Sequence, residues 1–431
     1  MESGFKKVKG FRDIFGDEIS IWQGIERISA ELFCIYGFKE VKLPVLEVAD
    51  VFRKGLGNST DIVEKEMFSF VDKDGQTVAL RPEGTASIVR FFIENKLYMN
   101  GGIHKFYYYG PMFRREKPQK GRYRQFYQIG VEAIGSDSPL LDAEVVKLFY
   151  DFFDKTSVVK EATLEINSVG CFGCRPEYIK VLKSYLLNID DKLCENCRQK
   201  ILINPLRVLD CKNKMCKIQL KGAPLIQDYL CACCKDHFNN FVDHLNVFGV
   251  NFEINYSLVR GLDYYTRTAF EMVSCEGCEH KIAIGAGGRY NGLVKGMGGP
   301  DIPGIGFAIG VDRLVSLLQN GSKRKDFKEQ RVFIAYTSEK FEKQALAILQ
   351  NLRENGIVTL IDYEGVNLKS QLKNANRAGA DYCLILGEEE LEKKEIIIKD
   401  MQSGCQNNVK IDKVADFLRV SCTNGGGNCY Q

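Results

Sequence analysis

The sequence predicts an α+β fold in several domains, and three of its regions support that prediction. The N-terminal part is rich in strand patterns and contains two hairpins. A cysteine-rich helical region then interrupts the strands, and the chain after Val332 alternates strand and helix. A chain of 431 residues has room for two or three domains. Its 45% hydrophobic and 27% charged residues are ordinary for a globular protein.

The chain begins with an amphipathic helix and a strand that contains a proline. Apolar residues recur every three or four positions between Glu18 and Ile35, which predicts a helix that ends at Gly37. The strand pattern that follows contains Pro44. Because proline cannot donate a ladder hydrogen bond, we expect Pro44 at an edge or an interface.

Two hairpins are predicted next. The first, over residues 67–85, turns at Asp74-Gly75 and leads into a helix at 86–95, whose N-terminus has free N–H donors. The second joins an aromatic strand at 105–110 to another β-rich run through a loop at 116–121. The tip of this second hairpin is basic, with Arg114, Arg115, Lys117, Lys120, Arg122 and Arg124.

Changes of pattern divide the chain into segments. After a polar, basic linker, the alternation of strand and helix predicts a small α/β domain with a mostly parallel sheet. The predicted segments are a core at 1–165 and 252–320, a cysteine-rich helical insertion at 166–251, a linker at 321–331, an α/β domain at 332–421 and a flexible tail at 422–431.

Composition and charge narrow the class of protein. The formal net charge of +3 does not indicate a general nucleic-acid binder, but it does not exclude a local basic surface. The N-terminus is basic and polar, unlike a signal peptide, and no apolar stretch of about 18 residues is present, so we expect no membrane span. We therefore expect a cytoplasmic enzyme with reduced thiols.

The cysteines form a candidate metal region. More than half of the 16 cysteines lie between Cys171 and Cys234. Eight of them form closely spaced pairs: Cys171/Cys174, Cys194/Cys197, Cys211/Cys216 and Cys231/Cys234. Four thiolates bind one tetrahedral Zn²⁺, so up to two structural zinc sites are predicted. Reduced buried thiols and an iron–sulfur cluster are the alternatives, and the isolated pair Cys275/Cys278 is a weaker candidate.

The segment Ser257–Glu271 contains residues that are costly to bury. If it is a strand, Arg260, Leu262 and Tyr264 share one face, and Tyr265 lies on the other face. A buried arginine needs an anionic or carbonyl partner, so this face suits a small ligand with negative charge, and a plain sheet strand is the alternative.

Further arginines and one carboxylate extend this candidate site. Arg114, Arg122, Arg260 and Arg313 lie on separate predicted elements. Guanidinium groups match phosphate oxygens and Phe126 can stack on a base, so the set suits a nucleotide, with structural roles as the alternative. Glu132 lies between apolar neighbours and needs a cationic partner. No Walker A, Rossmann, Ser/His/Asp or HExxH pattern is present.

Several of these motifs together resemble those of a known enzyme family. FRRE at 113–116 with Arg122 and Phe126 resembles motif 2 of class II aminoacyl-tRNA synthetases, the glycine run ending at Arg313 resembles motif 3, and the helix and strand ending at Pro44 resemble motif 1. LVRGLDYYTRTAFE and AGGRYNGL resemble the two signatures of the histidyl-tRNA synthetase family, and RPEGT also matches it. The resemblance covers nearly the whole chain.

The resemblance implies an antiparallel-sheet catalytic core with a helical insertion domain, a C-terminal anticodon-binding α/β domain and a homodimer built around motif 1. It implies ATP with Mg²⁺, L-histidine and tRNA(His) as ligands. The implied catalytic residues are Arg260 and Arg114. The implied histidine-binding residues are Glu83, Gly84, Thr85, Arg114, Gln128, Glu132, Arg260, Tyr264 and Tyr265. The implied ATP-binding residues are Arg114, Glu116, Arg122, Phe126 and Arg313.

The implied reaction has two steps, formation of histidyl-adenylate with release of pyrophosphate and transfer of the histidyl group to a ribose hydroxyl of the tRNA. It needs no side-chain nucleophile, which agrees with the missing triad. The cysteines depart from the family pattern, because many members have the insertion without them. Two alternatives to a ligase are a catalytically silent histidine-binding regulatory paralogue and a zinc-bearing nucleic-acid module.

Overall fold

The computed structural model describes residues 5–57, 60–118, 121–259, 264–276, 280–320, 330–363 and 367–423. The chain divides into two compact units, residues 1–326 and 327–431. Each unit has its own hydrophobic core. The boundaries of the six predicted segments stay predictions.

The first unit contains strands and helices in mixed order. Its strands are β1 (Lys39–Glu40), β2 (Leu46–Val48), β3 (Phe68–Val71), β4 (Thr77–Leu80), β5 (His104–Phe113), β6 (Gln125–Ile134), β7 (Ala162–Ser168), β8 (Glu253–Ile254), β9 (Thr266–Glu276), β10 (His280–Arg289) and β11 (Gly304–Gly310). Its helices are α1 (Asp17–Ile35), α2 (Ala49–Leu56), α3 (Thr85–Glu94), α4 (Pro139–Lys155), α5 (Arg175–Leu187), α6 (Glu195–Ile203), α7 (Lys214–Leu220), α8 (Ala232–Val247), α9 (Leu293–Gly296) and α10 (Val311–Asn320). A π-helical turn covers Ile62–Glu66, and 3₁₀ turns cover Leu97–Asn100, Val159–Glu161, Asp190–Lys192, Pro205–Val208 and Ile226–Tyr229.

A large sheet with the strand order β1-β5-β6-β11-β10-β9-β7-β8 forms the centre of the first unit. Neighbours from β5 to β7 pair antiparallel, whereas the short edge strands β1 and β8 pair in parallel. The antiparallel core sheet is therefore confirmed. Helices α1 and α4 pack on this sheet through Phe33 and Phe149, whose rings contact Phe307 of β11.

The N-terminal elements follow the sequence pattern closely. The predicted helix is α1, and Pro44 is exposed between β1 of the large sheet and β2 of a separate three-stranded sheet, β2-β4-β3. Because proline interrupts the ladder, the single predicted strand divides into two strands of different sheets. The hairpin turn at Gly75, with φ of 81°, and the pairing of β5 with β6 are confirmed.

The cysteine-rich region is helical, as predicted. Helices α5 to α8 and three 3₁₀ turns enclose a small core of their own. Leu182, Leu186, Ile201 and Val208 are fully or almost fully buried in this core, and several cysteines contribute to it.

The second unit is a five-stranded sheet with helices. Its strands are β12 (Arg331–Tyr336), β13 (Val358–Ile361), β14 (Tyr382–Leu386), β15 (Glu395–Asp400) and β16 (Gln406–Lys410). Its helices are α11 (Glu342–Glu354), α12 (Leu368–Arg377), α13 (Glu388–Glu392) and α14 (Val414–Thr423), with 3₁₀ turns at Glu339–Phe341 and Ile411–Lys413.

The prediction of a mostly parallel sheet is wrong for this unit. In the order β13-β12-β14-β15-β16, the first two pairs are parallel and the last two are antiparallel. The connections at 387–394 and 401–405 are too short for a crossover, which takes about a dozen residues or more. Arg331, which we placed in the linker, begins β12, and residues 321–329 lie outside the described part.

Candidate active site

A cavity opens on the large sheet where the β5–β6 hairpin, β10, β11 and the residues before α3 and β9 meet. The sequence-predicted residues that line it are Glu83, Thr85, Arg114, Glu116, Arg122, Phe126, Gln128, Glu132, Tyr264, Tyr265 and Arg313. Gly84 is buried beside it, and Arg260 lies outside the described residues. The structure thus brings residues from both histidine signatures and from motifs 2 and 3 to one cavity.

Glu132 lies at the buried end of this cavity and is 1% exposed. The Thr85 hydroxyl donates to Glu132 Oε1 at 2.6 Å, and the Tyr290 hydroxyl donates to Oε2 at 2.6 Å. Burial raises the pKa of Glu132 to about 8, although these two hydrogen bonds act in the opposite direction. Both carboxylate oxygens are therefore fixed and oriented by neutral donors.

Tyr290 is a cavity residue that the sequence analysis did not assign. It lines the cavity, is 1% exposed and lies edge-on to Tyr264, with ring centroids 6.0 Å apart. The signal for it was available, because Tyr290 stands inside the AGGRYNGL signature.

Two glycines make room for the polar groups at this end. Gly306 of β11 lies directly opposite Glu132 of β6, and a Cβ at Gly306 would overlap Glu132 Oε2. A Cβ at Gly84 would overlap the ring of Tyr108. Only glycine fits at either place without moving a neighbour, so Gly84 is needed for the position of the Tyr108 ring.

Glu83 is held by the start of helix α3. Its Oε2 accepts from the N–H of Thr85 at 2.7 Å and its Oε1 from the N–H of Ala86 at 2.9 Å. Burial raises the pKa of Glu83, and these N–H donors oppose that rise. We expected free N–H donors at this helix start, but two of them donate to the Glu83 carboxylate. The group that this helix start presents to the cavity is therefore the carboxylate.

The two adjacent tyrosines line the cavity together. Their rings are 4.6 Å apart between centroids. We expected Tyr264 and Tyr265 on opposite faces of a strand, but β9 begins only at Thr266, so the alternation of a strand does not apply to them. Arg267 donates to Asp137 Oδ2 at 2.6 Å and forms an ion pair with it.

The other end of the cavity is lined with arginines and an aromatic ring. Arg114 donates through Nε to the Pro82 carbonyl at 2.9 Å, and its guanidinium lies 5.2 Å from the centre of the Phe126 ring. Glu116 pairs with Arg122 at 3.2 Å. Arg313 donates to the Ala283 carbonyl at 2.6 Å, and burial lowers its pKa, with Arg122 adding to that effect.

Gln128 lies between the two ends and is 9% exposed. Within the described part of the chain its Oε1 is buried without a hydrogen-bond partner. A buried amide oxygen is costly to leave unpaired, so this atom indicates a place for a donor of a bound ligand.

A buried ion pair lies beside the cavity and was not predicted. Arg289 and Asp142 are both fully buried, and Arg289 Nε donates to Asp142 Oδ1 at 3.0 Å. Arg289 also donates to the Ser136 carbonyl at 2.9 Å, and Thr268 donates to Asp142. This network joins β9, β10 and α4 next to Tyr290. Sequence spacing gives no sign of it, because each of these hydrogen bonds joins residues that are 126 to 153 positions apart along the chain.

The eight paired cysteines gather in two groups of four. The outer cluster is formed by Cys171, Cys174, Cys231 and Cys234, and the inner cluster by Cys194, Cys197, Cys211 and Cys216. Within each cluster all sulfurs lie within 4.8 Å of one another. The clusters are nested, since the inner pairs lie between the outer pairs along the chain. Cys278 and the Cys275 side chain lie outside the described part, so that pair stays a prediction.

The antiparallel order of the large sheet and the position of the cavity on it place the first unit in the class II aminoacyl-tRNA synthetases. The model of the family described as histidyl-tRNA synthetase matches residues 10–177 and 207–314, and that of the anticodon binding domain matches residues 331–420. The chain belongs to the histidyl-tRNA synthetase family. The unmatched residues 178–206 include the first pair of the inner cluster.

Similar proteins span the same length. Histidine--tRNA ligase of Geobacter sulfurreducens is 46% identical over 96% of this chain and 99% of its own, and that of Thermodesulfovibrio yellowstonii is 44% identical over 96% and 98%. The crystal structure of apo histidyl-tRNA synthetase from S. aureus has a TM-score of 0.76 at 33% identity, with 96% of this chain and 99% of that chain covered. No helix in the described part of the chain is long and apolar enough to cross a membrane.

Proposed function

We propose that the cavity is the place where L-histidine and ATP react. Aminoacylation of tRNA(His) is the known reaction of the histidyl-tRNA synthetase family, and the chain is a histidine–tRNA ligase of that family. One observation supports the cavity as its active site. A buried carboxylate and phenols lie at one end of the cavity, and arginines and an aromatic ring lie at the other end.

Histidine binds at the Glu132 end. Imidazole has one donor and one acceptor. Glu132 accepts its N–H, the Tyr264 hydroxyl donates to the other ring nitrogen, and Tyr265 packs beside the imidazole. The Glu83 carboxylate and the Thr85 hydroxyl receive the α-ammonium group, and Gln128 and Arg114 bind near the substrate carboxylate. An apolar competitor would leave these polar groups unpaired, which supports discrimination of roughly 10⁴–10⁵.

ATP binds at the arginine end. Phe126 and Arg313 stack on the two faces of adenine, and Arg114 contacts the α-phosphate. Glu116 and Arg122, which lie on the β5–β6 hairpin, contact the nucleotide. Arg260 would stabilise charge on the α-phosphate, a role that rests on the motif alone.

The chemistry needs positioning and charge stabilisation. The histidine carboxylate attacks the α-phosphorus, the bond to pyrophosphate breaks, and a terminal ribose hydroxyl of the tRNA then attacks the acyl carbon and releases AMP. Mg²⁺ bound to ATP would neutralise phosphate charge. The carboxylates that line the cavity are engaged by hydrogen bonds or ion pairs, as Glu116 is with Arg122, so we assign no protein ligand to this ion.

The tRNA contacts both units. The basic tip of the β5–β6 hairpin suits phosphate contacts at the acceptor end, and the second unit suits the anticodon. We expect the enzyme to work in the cytoplasm, where its thiols stay reduced.

Each cysteine cluster binds one Zn²⁺. A tetrahedral ion with a Zn–S distance of about 2.3 Å holds its sulfurs about 3.8 Å apart. Cys171 and Cys174 Sγ are 3.5 Å apart, and Cys194 and Cys211 Sγ are 3.9 Å apart, which suits one such ion in each cluster. Bound zinc would stabilise the helical insertion, whose own hydrophobic core is small.

A homodimer is supported by the three-stranded sheet. Leu46 and Val48 of β2 and Phe70 of β3 share one apolar face of this sheet, yet they are 45%, 38% and 51% exposed. A face of this kind needs a partner, and a second copy of this chain fits the motif 1 resemblance.

Histidine-dependent exchange of pyrophosphate into ATP tests the proposal. Purified protein is expected to show exchange with histidine and none with other amino acids. A regulatory paralogue or a nucleic-acid module without catalysis predicts no exchange. Arg260→Ala is expected to abolish exchange while histidine binding stays measurable by calorimetry, and near-normal exchange would overturn the role given to Arg260.

A further inference from the structure

The outer cysteine cluster lies where the insertion joins the catalytic core. Cys171 and Cys174 follow β7, and Cys174 occupies the N-cap position of α5. Cys231 caps the N-terminus of α8, and its backbone N–H donates to Cys174 Sγ at 3.2 Å. The outer cluster therefore ties together the chain entering the insertion and the chain leaving it.

The residue next to this cluster reaches the histidine pocket. Arg175 follows Cys174 directly, donates through Nε to the Val169 carbonyl at 3.1 Å, and donates through Nη2 to the backbone carbonyl of Tyr265. Tyr265 lines the cavity and its ring packs against Gly288 of β10. The guanidinium of Arg175 is thus a bridge from the cluster to the backbone of a pocket tyrosine.

Backbone bonds reinforce the same connection. The Arg267 N–H donates to the Gly170 carbonyl at 2.8 Å, and the Val169 N–H donates to the Arg267 carbonyl at 2.7 Å. Arg267 has a φ of 50°, an unfavourable value for a residue with a side chain. Its side chain also contacts Cys234 of the outer cluster. The segment Tyr265–Arg267 is therefore fixed from the cluster side at several points.

The inner cluster has a different setting. Its cysteines lie at the start of α6, within α6, between α6 and α7, and within α7, and Cys216 Sγ accepts from the backbone N–H of Cys194 at 3.2 Å. Cys197 and Cys216 are buried in the core of the insertion, which also includes Cys174 and Cys234 of the outer cluster. What distinguishes the outer cluster is its link to the catalytic core, because Arg175, next to Cys174, donates to the Tyr265 carbonyl and Arg267 contacts Cys234.

We propose that zinc in the outer cluster is a positioning site for histidine binding, acting through Arg175 on Tyr265, whereas zinc in the inner cluster only stabilises the insertion. The inference rests on the proposed function of the cavity and of the clusters. Loss of the outer ion would release the Cys171–Arg175 segment, and with it the carbonyl of Tyr265. Histidine affinity would fall, while the ATP end would be unaffected.

The test compares two matched variants of the full-length enzyme. Cys231→Ser removes an outer ligand and Cys194→Ser an inner one. Both residues are helix N-caps, where serine is itself a good cap. Elemental analysis should give two zinc ions per chain in the parent and one in each variant. In pyrophosphate exchange, KM for histidine should rise about 10-fold or more for Cys231→Ser and less than about twofold for Cys194→Ser, with KM for ATP little changed in both.

Arg175→Ala keeps the inference testable if Cys231→Ser does not fold. It should retain two zinc ions and still raise KM for histidine about as much as Cys231→Ser does. The double variant should be no worse than the more affected single variant, because both act through one contact. Equal effects of the outer and inner variants, or additive effects of Arg175→Ala and Cys231→Ser, would overturn the inference.

Zinc content and exchange activity of the parent enzyme distinguish failure of this inference from failure of the proposed function or of the zinc assignment. Histidine-dependent exchange without bound zinc would overturn the zinc assignment and this inference, and leave the active site standing. Absence of exchange would overturn the proposed function itself. Two bound zinc ions with normal histidine KM in Arg175→Ala would overturn the positioning role alone.

Discussion

At the scale of single residues, the space around the Glu132 carboxylate decides whether histidine binds. Gly306→Ala places a methyl group against Glu132 Oε2 and against the Val131 carbonyl, so the carboxylate must move. We expect kcat/KM for histidine in pyrophosphate exchange to fall about 100-fold, since small misplacements of a binding group have effects of that order. KM for ATP should change much less.

Gly296→Ala is the matched control. Gly296 is exposed, and a Cβ there meets no atom within 4 Å. This variant should retain the parent's kinetics. Equal losses in both variants would mean that the change at 306 acts through folding rather than through Glu132.

The raised pKa of Glu132 predicts a pH dependence. With a pKa of about 8, the folded free enzyme holds a proton on Glu132 below that pH and loses it above. The ionised form accepts the imidazole N–H, so kcat/KM for histidine should rise between pH 7 and pH 8.5. Because kcat/KM reports the free enzyme, the rise should be absent from kcat/KM for ATP at saturating histidine, and Glu132→Gln should abolish it.

The same shift has a consequence for stability. The pKa in the folded state exceeds the ordinary value of 4.5, so the folded protein binds a proton that the unfolded chain releases. Glu132 therefore lowers stability progressively as pH rises from about 4.5 to about 8, and adds no further cost above that. A parent that loses no more stability than Glu132→Gln over this range would contradict the assignment.

The site residues were predictable to the extent that they belong to contiguous motifs. FRRE, RPEGT and the tyrosine pair were named from the sequence, and residues from each of them line one cavity. Tyr290 was missed although it stands inside the AGGRYNGL motif, whereas the Arg289–Asp142 pair was missed because it depends on which elements become neighbours. The sequence also did not show which cysteine pairs form one cluster. Spacing identifies the four pairs, but only the fold shows which two pairs meet.

At the scale of elements, the buried pair of Arg289 and Asp142 connects β10 to α4 behind the cavity. Asp142→Ala removes the buried carboxylate of Arg289 and leaves Asp137, which is 46% exposed and 3.4 Å away, so we expect a cost of about 3 kcal/mol, the lower end for a broken buried pair. Urea unfolding followed by the fluorescence of Trp22, the single tryptophan, should show this loss.

The control for that prediction is an exposed ion pair. Lys295 and Asp301 are 2.9 Å apart, and each side chain is 66% exposed. Asp301→Ala should change the free energy of unfolding by less than about 1 kcal/mol. A comparably small effect of Asp142→Ala would show that water or another group replaces the lost carboxylate.

Elements were predicted best where periodicity is local. Helix α1 and the β3–β4 hairpin follow from apolar spacing and an Asp-Gly turn. The second unit shows the limit, because strand–helix alternation predicted parallel pairing, whereas the short connections after β14 impose antiparallel pairing. The segment at 257–271 shows another limit, since a run of β-forming residues does not reveal that its strand begins only at Thr266.

At the scale of the whole molecule, the exposed apolar face of the three-stranded sheet predicts a dimer that a single charge can break. Leu46→Glu places a carboxylate on this face, where burial against a second copy would leave it unpaired. Light scattering coupled to gel filtration should show a parent of twice the chain mass of 48.8 kDa and a variant of that mass.

Leu346→Glu provides a control matched in residue type and exposure. Leu346 lies on α11 of the second unit and is 45% exposed, the same fraction as Leu46. This variant should remain dimeric, because the proposed interface does not include that helix. Dissociation by both substitutions, or by neither, would remove the three-stranded sheet from the interface. A monomeric parent would contradict the homodimer itself, and the apolar face would then need a different partner.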